Sequence, residues 1–147
     1  MTTPANAAAE AAIRALMDER IQAVIGKNAE AMVARLAPGV LAFDLIEPLQ
    51  YTGAAAVQKR AEDWIGGYEG PMNYEIRDLR VTAGDQAAFS YGLHHVSGTL
   101  KDGKKIDMFW RATQCWRCLG GQWLIVHEHS SVPFNMQSGK GCFDLKP

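Results

Sequence analysis

The chain has 147 residues, 48% of them hydrophobic and 21% charged, with 15 lysines and arginines against 16 aspartates and glutamates and a formal net charge of −1. That balance describes one folded globular domain, spanning 1–147, able to bury a core without metal or disulfide support. It excludes an electrostatic case for nucleic acid or an anionic membrane surface, and no apolar run is long enough to span a bilayer.

The alanine-rich start is interrupted by Glu10, Arg14, Asp18, Glu19 and Arg20, so no export signal is expected and the location is read as cytoplasmic. Cys115, Cys118 and Cys142 are an odd set that suits reduced thiols. Cys115-x-x-Cys118 lacks the two further ligands of a structural zinc site.

In chain order, Thr3 caps a first helix with Pro4 at its opening position, and Ile13, Leu16, Met17, Ile21 and Val24 form its inward stripe up to Gly26. A second helix opens at Asn28, turns Met32, Val33 and Leu36 inward, and stops at Pro38-Gly39. A short strand covers Val40–Ile46. Thr52 caps a third helix with the stripe Val57, Ala61, Trp64, Ile65 and Tyr68, closed by Gly66-Gly67.

From Met72 the period changes to two, with turn signals at Ala83-Gly84-Asp85, Lys101-Asp102-Gly103 and Gly120-Gly121. Strands are predicted near Met72–Thr82, Gln86–Leu100, Lys104–Cys118 and Gln122–Pro133, and their short links imply an antiparallel meander. Helices grouped before an antiparallel sheet give an α+β fold. Residues 135–147 read as an irregular tail.

The last strand, QWLIVHEHSSVPF, sets Trp123, Ile125, His127 and His129 on one side and Leu124, Val126, Glu128 and Ser130 on the other. Both sides begin apolar and end polar, the pattern of a strand that runs from a core into a cavity or an interface. In the preceding strand Phe109, Thr113 and Cys115 alternate with Met108, Trp110, Ala112 and Trp116, so neither face is plainly solvent-directed. A second copy of the chain is expected on the uncovered face; a tightly curled monomer is the alternative.

Arg20, Asp44 and Glu128 stand where apolar residues are expected, and a buried guanidinium needs a carboxylate. The competing readings are an Arg20 whose stem covers apolar surface while its head reaches water, and an Asp44 that simply ends a strand. His127 and His129 share a face and would need His94 or His95 to complete a zinc site. No third ligand stands at local spacing, so no metal and no cofactor are expected. There is no nucleophile elbow, phosphate loop or dinucleotide fingerprint.

The order helix, helix, short strand, helix, four-strand meander, with LAPGVLAFD and the ending GGQWLIVHEHSSVPF, resembles the SnoaL-like and ketosteroid-isomerase-like proteins of the NTF2-like superfamily. It is close also to the association domain of calcium/calmodulin-dependent kinase II. The resemblance covers about Leu16 to Phe134 and implies a cone in which helices pack on a strongly curved sheet. It also implies that Asp44 stands where the steroid isomerase has its proton-shuttling aspartate. Arg20 replaces an oxyanion-binding tyrosine, and Thr113 or Gln114 falls near a second oxyanion-binding acid, so both oxyanion donors are changed. The association-domain likeness turns Val126, Glu128 and Ser130 into the cavity. Tyr91, Leu93, His95, Trp110, Gln114 and Trp64 would complete the wall, and His127 and His129 would face a partner subunit.

The resulting expectation is a homodimer that joins through Trp123, Ile125, His127 and His129. It binds a small apolar or aromatic ligand, with Asp44 as base, Arg20 as its electrostatic partner and Glu128 as second acid or base. The alternative is a non-catalytic ligand-binding or oligomerisation module.

Overall fold

The computed structural model describes residues 3–147. Helix α1 (Pro4–Ile25) opens at Thr3, whose hydroxyl accepts from the Asn6 amide at 3.2 Å, and closes at Gly26. It buries Ile13, Met17 and Val24, and Arg20 lies on the same stripe. Helix α2 (Ala29–Met32) is a single turn capped by the Asn28 side chain. No helix among the described residues is long and apolar enough to cross a membrane.

Strand β1 (Leu36–Phe43) starts earlier than the sequence predicts, with Pro38 and Gly39 inside it rather than ending a helix. Its pairing with the last strand shifts register between Leu36 and Leu41, so the missing amide of Pro38 falls where the ladder is already interrupted. Strand β2 (Tyr51–Thr52) was not anticipated and absorbs Thr52. Helix α3 (Ala54–Gly66) is capped instead by Gly53 at φ 92°, a left-handed position suited to glycine, whose amide donates to the Val40 carbonyl at 2.7 Å.

Strands β3 (Tyr68–Ala83), β4 (Ala87–Leu100), β5 (Lys105–Leu119) and β6 (Gln122–Ser131) form the predicted meander. The sheet order is β2-β1-β6-β5-β4-β3, with β1 parallel to β6 and the other neighbours antiparallel. The architecture is therefore α+β, helices followed by a curved, unclosed mixed sheet of six strands. Its bend is local. The β3–β4 register shifts between Glu69 and Asn73 and again between Arg77 and Arg80. The bent β3 comes so close to β4 that a Cβ on Gly92 would lie 2.8 Å from the Ile76 side chain, and one on Gly98 2.9 Å from the Tyr68 ring.

A bulge in β6 overturns one face assignment. Cys115 pairs with His127 but Trp116 pairs with Ile125, which leaves Val126 unpaired and resets the alternation. Ile125 is therefore fully buried in the core, with Trp123 packed against the same cluster. The expected face of Trp123, Ile125, His127 and His129 does not exist as one surface.

Two apolar clusters fill the concave side. One gathers Ile13, Met17, Val40, Trp116 and Ile125; the other gathers Val24, Met32, Ala61, Ile65 and Met72. Beyond Ser131 the chain makes turns and one isolated bridge, Phe134 to Gly141.

Candidate functional site

Between the two clusters lies a cavity of about 310 Å³. Helix α1 brings Met17, Arg20 and Val24 to it, α3 brings Val57, Arg60 and Trp64, and the segment after β1 brings Asp44, Leu45 and Ile46. The sheet contributes Tyr74, His94, Met108, Trp110, Glu128 and Ser130, and the C-terminal segment contributes Phe143. The lining is mostly apolar, with aromatic rings meeting edge to face: Trp64 and Trp110 stand 6.0 Å apart at 88°.

Arg20 reaches into this space, but its partner is Glu128 and not Asp44. The guanidinium grips the carboxylate with two bonds, Nη1 to Oε2 at 2.6 Å and Nη2 to Oε1 at 3.2 Å. Gln114 Nε2 donates to Glu128 Oε2 at 3.1 Å; Ser90 Oγ donates to Gln114 Oε1 at 2.7 Å, and Trp116 Nε1 to Ser90 Oγ at 2.9 Å. Burial pushes the Glu128 carboxyl up, but the Arg20 charge and hydrogen bonds, His94 and the Gln114 amide together outweigh it and hold the group at about 2. Burial lowers Arg20 and the Glu128 charge raises it, with a net rise. A carboxylate so fully paired stays ionised at neutral pH, with its oxygens engaged by Arg20 and Gln114.

Asp44 is held from the other side. Arg60 Nε donates to its Oδ2 at 2.9 Å and the Leu45 amide to its Oδ1 at 2.6 Å. Arg60 follows Val57 by three residues and precedes Trp64 by four, so it shares the inward stripe of α3. It escaped notice because Arg20 already offered a cation.

Sequence reasoning weighed His94 only as a possible zinc ligand and did not place it in the cavity wall. His94 is 4% exposed, lines the cavity, and its Nδ1 is hydrogen-bonded to the Tyr74 hydroxyl while Nε2 has no partner. Burial, with Arg20 adding to it and Glu128 opposing, lowers its pKa to about 4, so the ring is neutral at pH 7. Burial raises Tyr74 above its ordinary value, so its hydroxyl keeps its proton. With Tyr74 donating to Nδ1, one buried polar group is left over, an N–H at Nε2; the opposite tautomer would strand both the hydroxyl proton and Nε2. His94, whose ring lines the cavity, thus carries a buried N–H without a partner.

Of the expected wall, Trp64, Trp110 and Ser130 line the cavity, as do Asp44, Arg20 and Glu128. Gln114 lies behind Glu128, fully buried, and Val126 sits at the bulge outside the lining. Tyr91, Leu93 and His95 are on the opposite face of β4, where Tyr91 stacks on Phe89 and His95 lies between Glu75 and Asp107. The face of β4 assigned from the association-domain likeness is the outer one. The concave face carries Ala88, Ser90, Gly92, His94 and Val96, since a sharply bent sheet leaves little room inside the bend. Among the described residues no cluster of three His, Cys, Asp or Glu is placed to hold a metal ion.

Helices followed by a curved mixed sheet around a mostly apolar cavity define the NTF2-like class of α+β proteins. Residues 13–135 match the SnoaL-like domain, and the chain belongs to that family. It is similar to an NTF2-like protein of unknown function from Pseudomonas putida KT2440, at 38% identity and a TM-score of 0.87 over 96% of this chain and 98% of that one. It shares the fold of an NTF2-like superfamily protein from Salmonella enterica serovar Typhimurium, at 15% identity and a TM-score of 0.76 over 92% and 99% of the two chains. It shares it also with the association domain of C. elegans CaMKII, at 15% identity and a TM-score of 0.66 over 88% and 100%. No curated protein matches the chain.

Proposed function

We propose that the cavity binds a small, mostly apolar ring compound that carries a carbonyl oxygen, and that the protein moves a proton on the carbon beside that carbonyl. The observation that carries this reading is the unpartnered, buried Nε2 of His94 beside a mostly apolar cavity. A buried donor without a partner costs about 1–3 kcal/mol, a cost that a ligand oxygen removes. Asp44 takes the proton from carbon, the electron pair moves toward oxygen, and the His94 N–H meets the charge that develops there, with Tyr74 fixing the ring. Arg20 and Glu128 act as the charged floor that holds the cavity open.

The second reading is a binding module without turnover. It is favoured by the fact that both cavity carboxylates are ion-paired, Glu128 to Arg20 and Asp44 to Arg60.

The outer sheet face supports a homodimer, with Phe89 45% and Tyr91 47% exposed and stacked on each other. His127 and His129 belong to that face; Trp123 and Ile125 do not. Unbridged Cys115, Cys118 and Cys142 support a reducing, cytoplasmic location.

Nitrogen NMR of histidine-labelled protein tests the reading. His94 is expected as the Nε2–H tautomer at pH 7, with its Nε2 signal displaced by 2-naphthol, a stable mimic of a bicyclic enolate. An Nδ1–H tautomer, or a signal untouched by bound 2-naphthol, contradicts it.

A further inference from the structure

The cavity has one wall that comes from neither the helices nor the sheet. Phe143 lines it from the C-terminal segment, yet the ring is 47% exposed, so one side meets the cavity and the other meets solvent. Its position is built on both flanks. Upstream, the Asn135 side chain accepts from the Gln137 and Ser138 amides at 2.9 Å each, the Asn135 amide donates to the Lys140 carbonyl at 2.8 Å, and the Cys142 amide donates to the Pro133 carbonyl at 2.7 Å. Downstream, Lys146 Nζ donates to Asp107 Oδ1 at 2.7 Å and lies 5.5 Å from the centroid of the Phe109 ring. Gly141 completes the arrangement, since a Cβ there would stand 3.2 Å from the Phe143 ring and 3.3 Å from Val132. The ring folds back across Gly141, where a Cβ would press on it tightly enough to displace it by a few tenths of an ångström.

We infer that Phe143 is a ligand-contacting residue that sets specificity for flat aromatic ligands, carried on a C-terminal strap that Lys146 latches to Asp107 across the cavity mouth. The inference rests on the reading that the cavity takes a ring compound, and it assigns the face of that ring which Trp64 and Trp110 do not reach. The two flanks differ in strength. The upstream turn is held by backbone bonds and by two more to the Asn135 side chain, whereas the latch rests on Lys146 alone, paired with Asp107 through side chains at least half exposed, 50% for Lys146 and 60% for Asp107. Exposed pairs of this kind hold weakly. The strap therefore opens at its Lys146 end and swings about the Pro133–Cys142 contact, lifting Phe143 away from the mouth.

The test uses full-length protein, 2-naphthol as probe, and the variants F143A, F143L and K146M. Calorimetry is expected to show F143A binding about tenfold more weakly, the worth of one aromatic contact, with F143L between it and wild type. Stopped-flow mixing is expected to show K146M releasing the probe up to about fivefold faster, with a smaller change in affinity. Acrylamide quenching of tryptophan without ligand is expected to rise in F143A and K146M, as Trp64 and Trp110 lose their cover. If wild type binds 2-naphthol and F143A matches its affinity, the inference is overturned while the cavity reading stands. If wild type does not bind it, the cavity reading fails for this ligand class and quenching decides the strap: a rise in both variants sustains it, and no rise overturns it.

Discussion

Replacing His94 with glutamine is expected to flatten the protein's loss of stability in mild acid. The folded imidazole holds its pKa near 4 against an ordinary value of 6.5. As pH falls through 6.5 the unfolded chain takes up a proton that the folded chain refuses until about pH 4, so the unfolded state is favoured progressively across that window. Above pH 6.5 the ring is neutral in both states and contributes nothing to the slope. The displacement corresponds to about 3 kcal/mol of stability lost between pH 6.5 and 4. Glutamine does not titrate, so H94Q lacks this contribution, although at pH 7.5 it should be about 1 kcal/mol less stable than wild type because the Tyr74 hydroxyl loses its imidazole acceptor. Urea unfolding at pH 7.5, 6.5, 5.5 and 4.5 measures both curves, and other acid-sensitive groups cancel in their difference. The curves should converge as pH falls and cross. Parallel curves would refute a buried neutral His94 and the donor role built on it.

Glu128 titrates in a separate, lower window. Its folded pKa is about 2 against an ordinary 4.5, so the stability it supplies is complete above pH 4.5 and disappears as pH falls toward 2; E128Q, which strands the Arg20 charge, should cost about 3–5 kcal/mol at pH 7 by thermal or urea unfolding. Ile125→Asp places a charge in a fully buried site and should abolish cooperative unfolding by circular dichroism; a folded, dissociated monomer would instead restore Ile125 to an interface. Tyr91→Asp, on the outer face, should leave the monomer folded and halve the mass seen by light scattering, and an unchanged mass would remove that face as the dimer contact.

The elements were legible where local chemistry decides them. Thr3, Pro4 and Asn28 mark helix starts by groups that satisfy or spare the free backbone amides, Gly26 marks a helix stop, and those ends stand as read. The meander followed from turn residues. The parallel β1–β6 pair was not legible, because it joins segments far apart in sequence through a register that no local pattern encodes. Alternation failed at Val126 for a related reason: one unpaired residue inverts the faces on either side of it, so Glu128 and Ser130 were placed correctly and Ile125 was not. For the site, Arg20 announced itself as a cation on an apolar stripe, but its partner is a question of distance in three dimensions. His94 was hidden by its neighbour, since in a pair of adjacent histidines only the strand's phase tells which one faces inward.

The most direct measurement is the exchange of the hydrogens beside the carbonyl of 2-tetralone for deuterium, followed by proton NMR in heavy water with catalytic amounts of protein. Wild type should exchange them well above the buffer rate, D44N should bind 2-naphthol yet lose the exchange, and H94Q should lose most of it. D44N should lose some stability yet stay folded, because the amide keeps an oxygen that can accept from Arg60 Nε or from the Leu45 amide, and circular dichroism checks this. Exchange by wild type at the buffer rate, with 2-naphthol bound in the cavity, would contradict proton transfer and leave the binding module as the function of this fold.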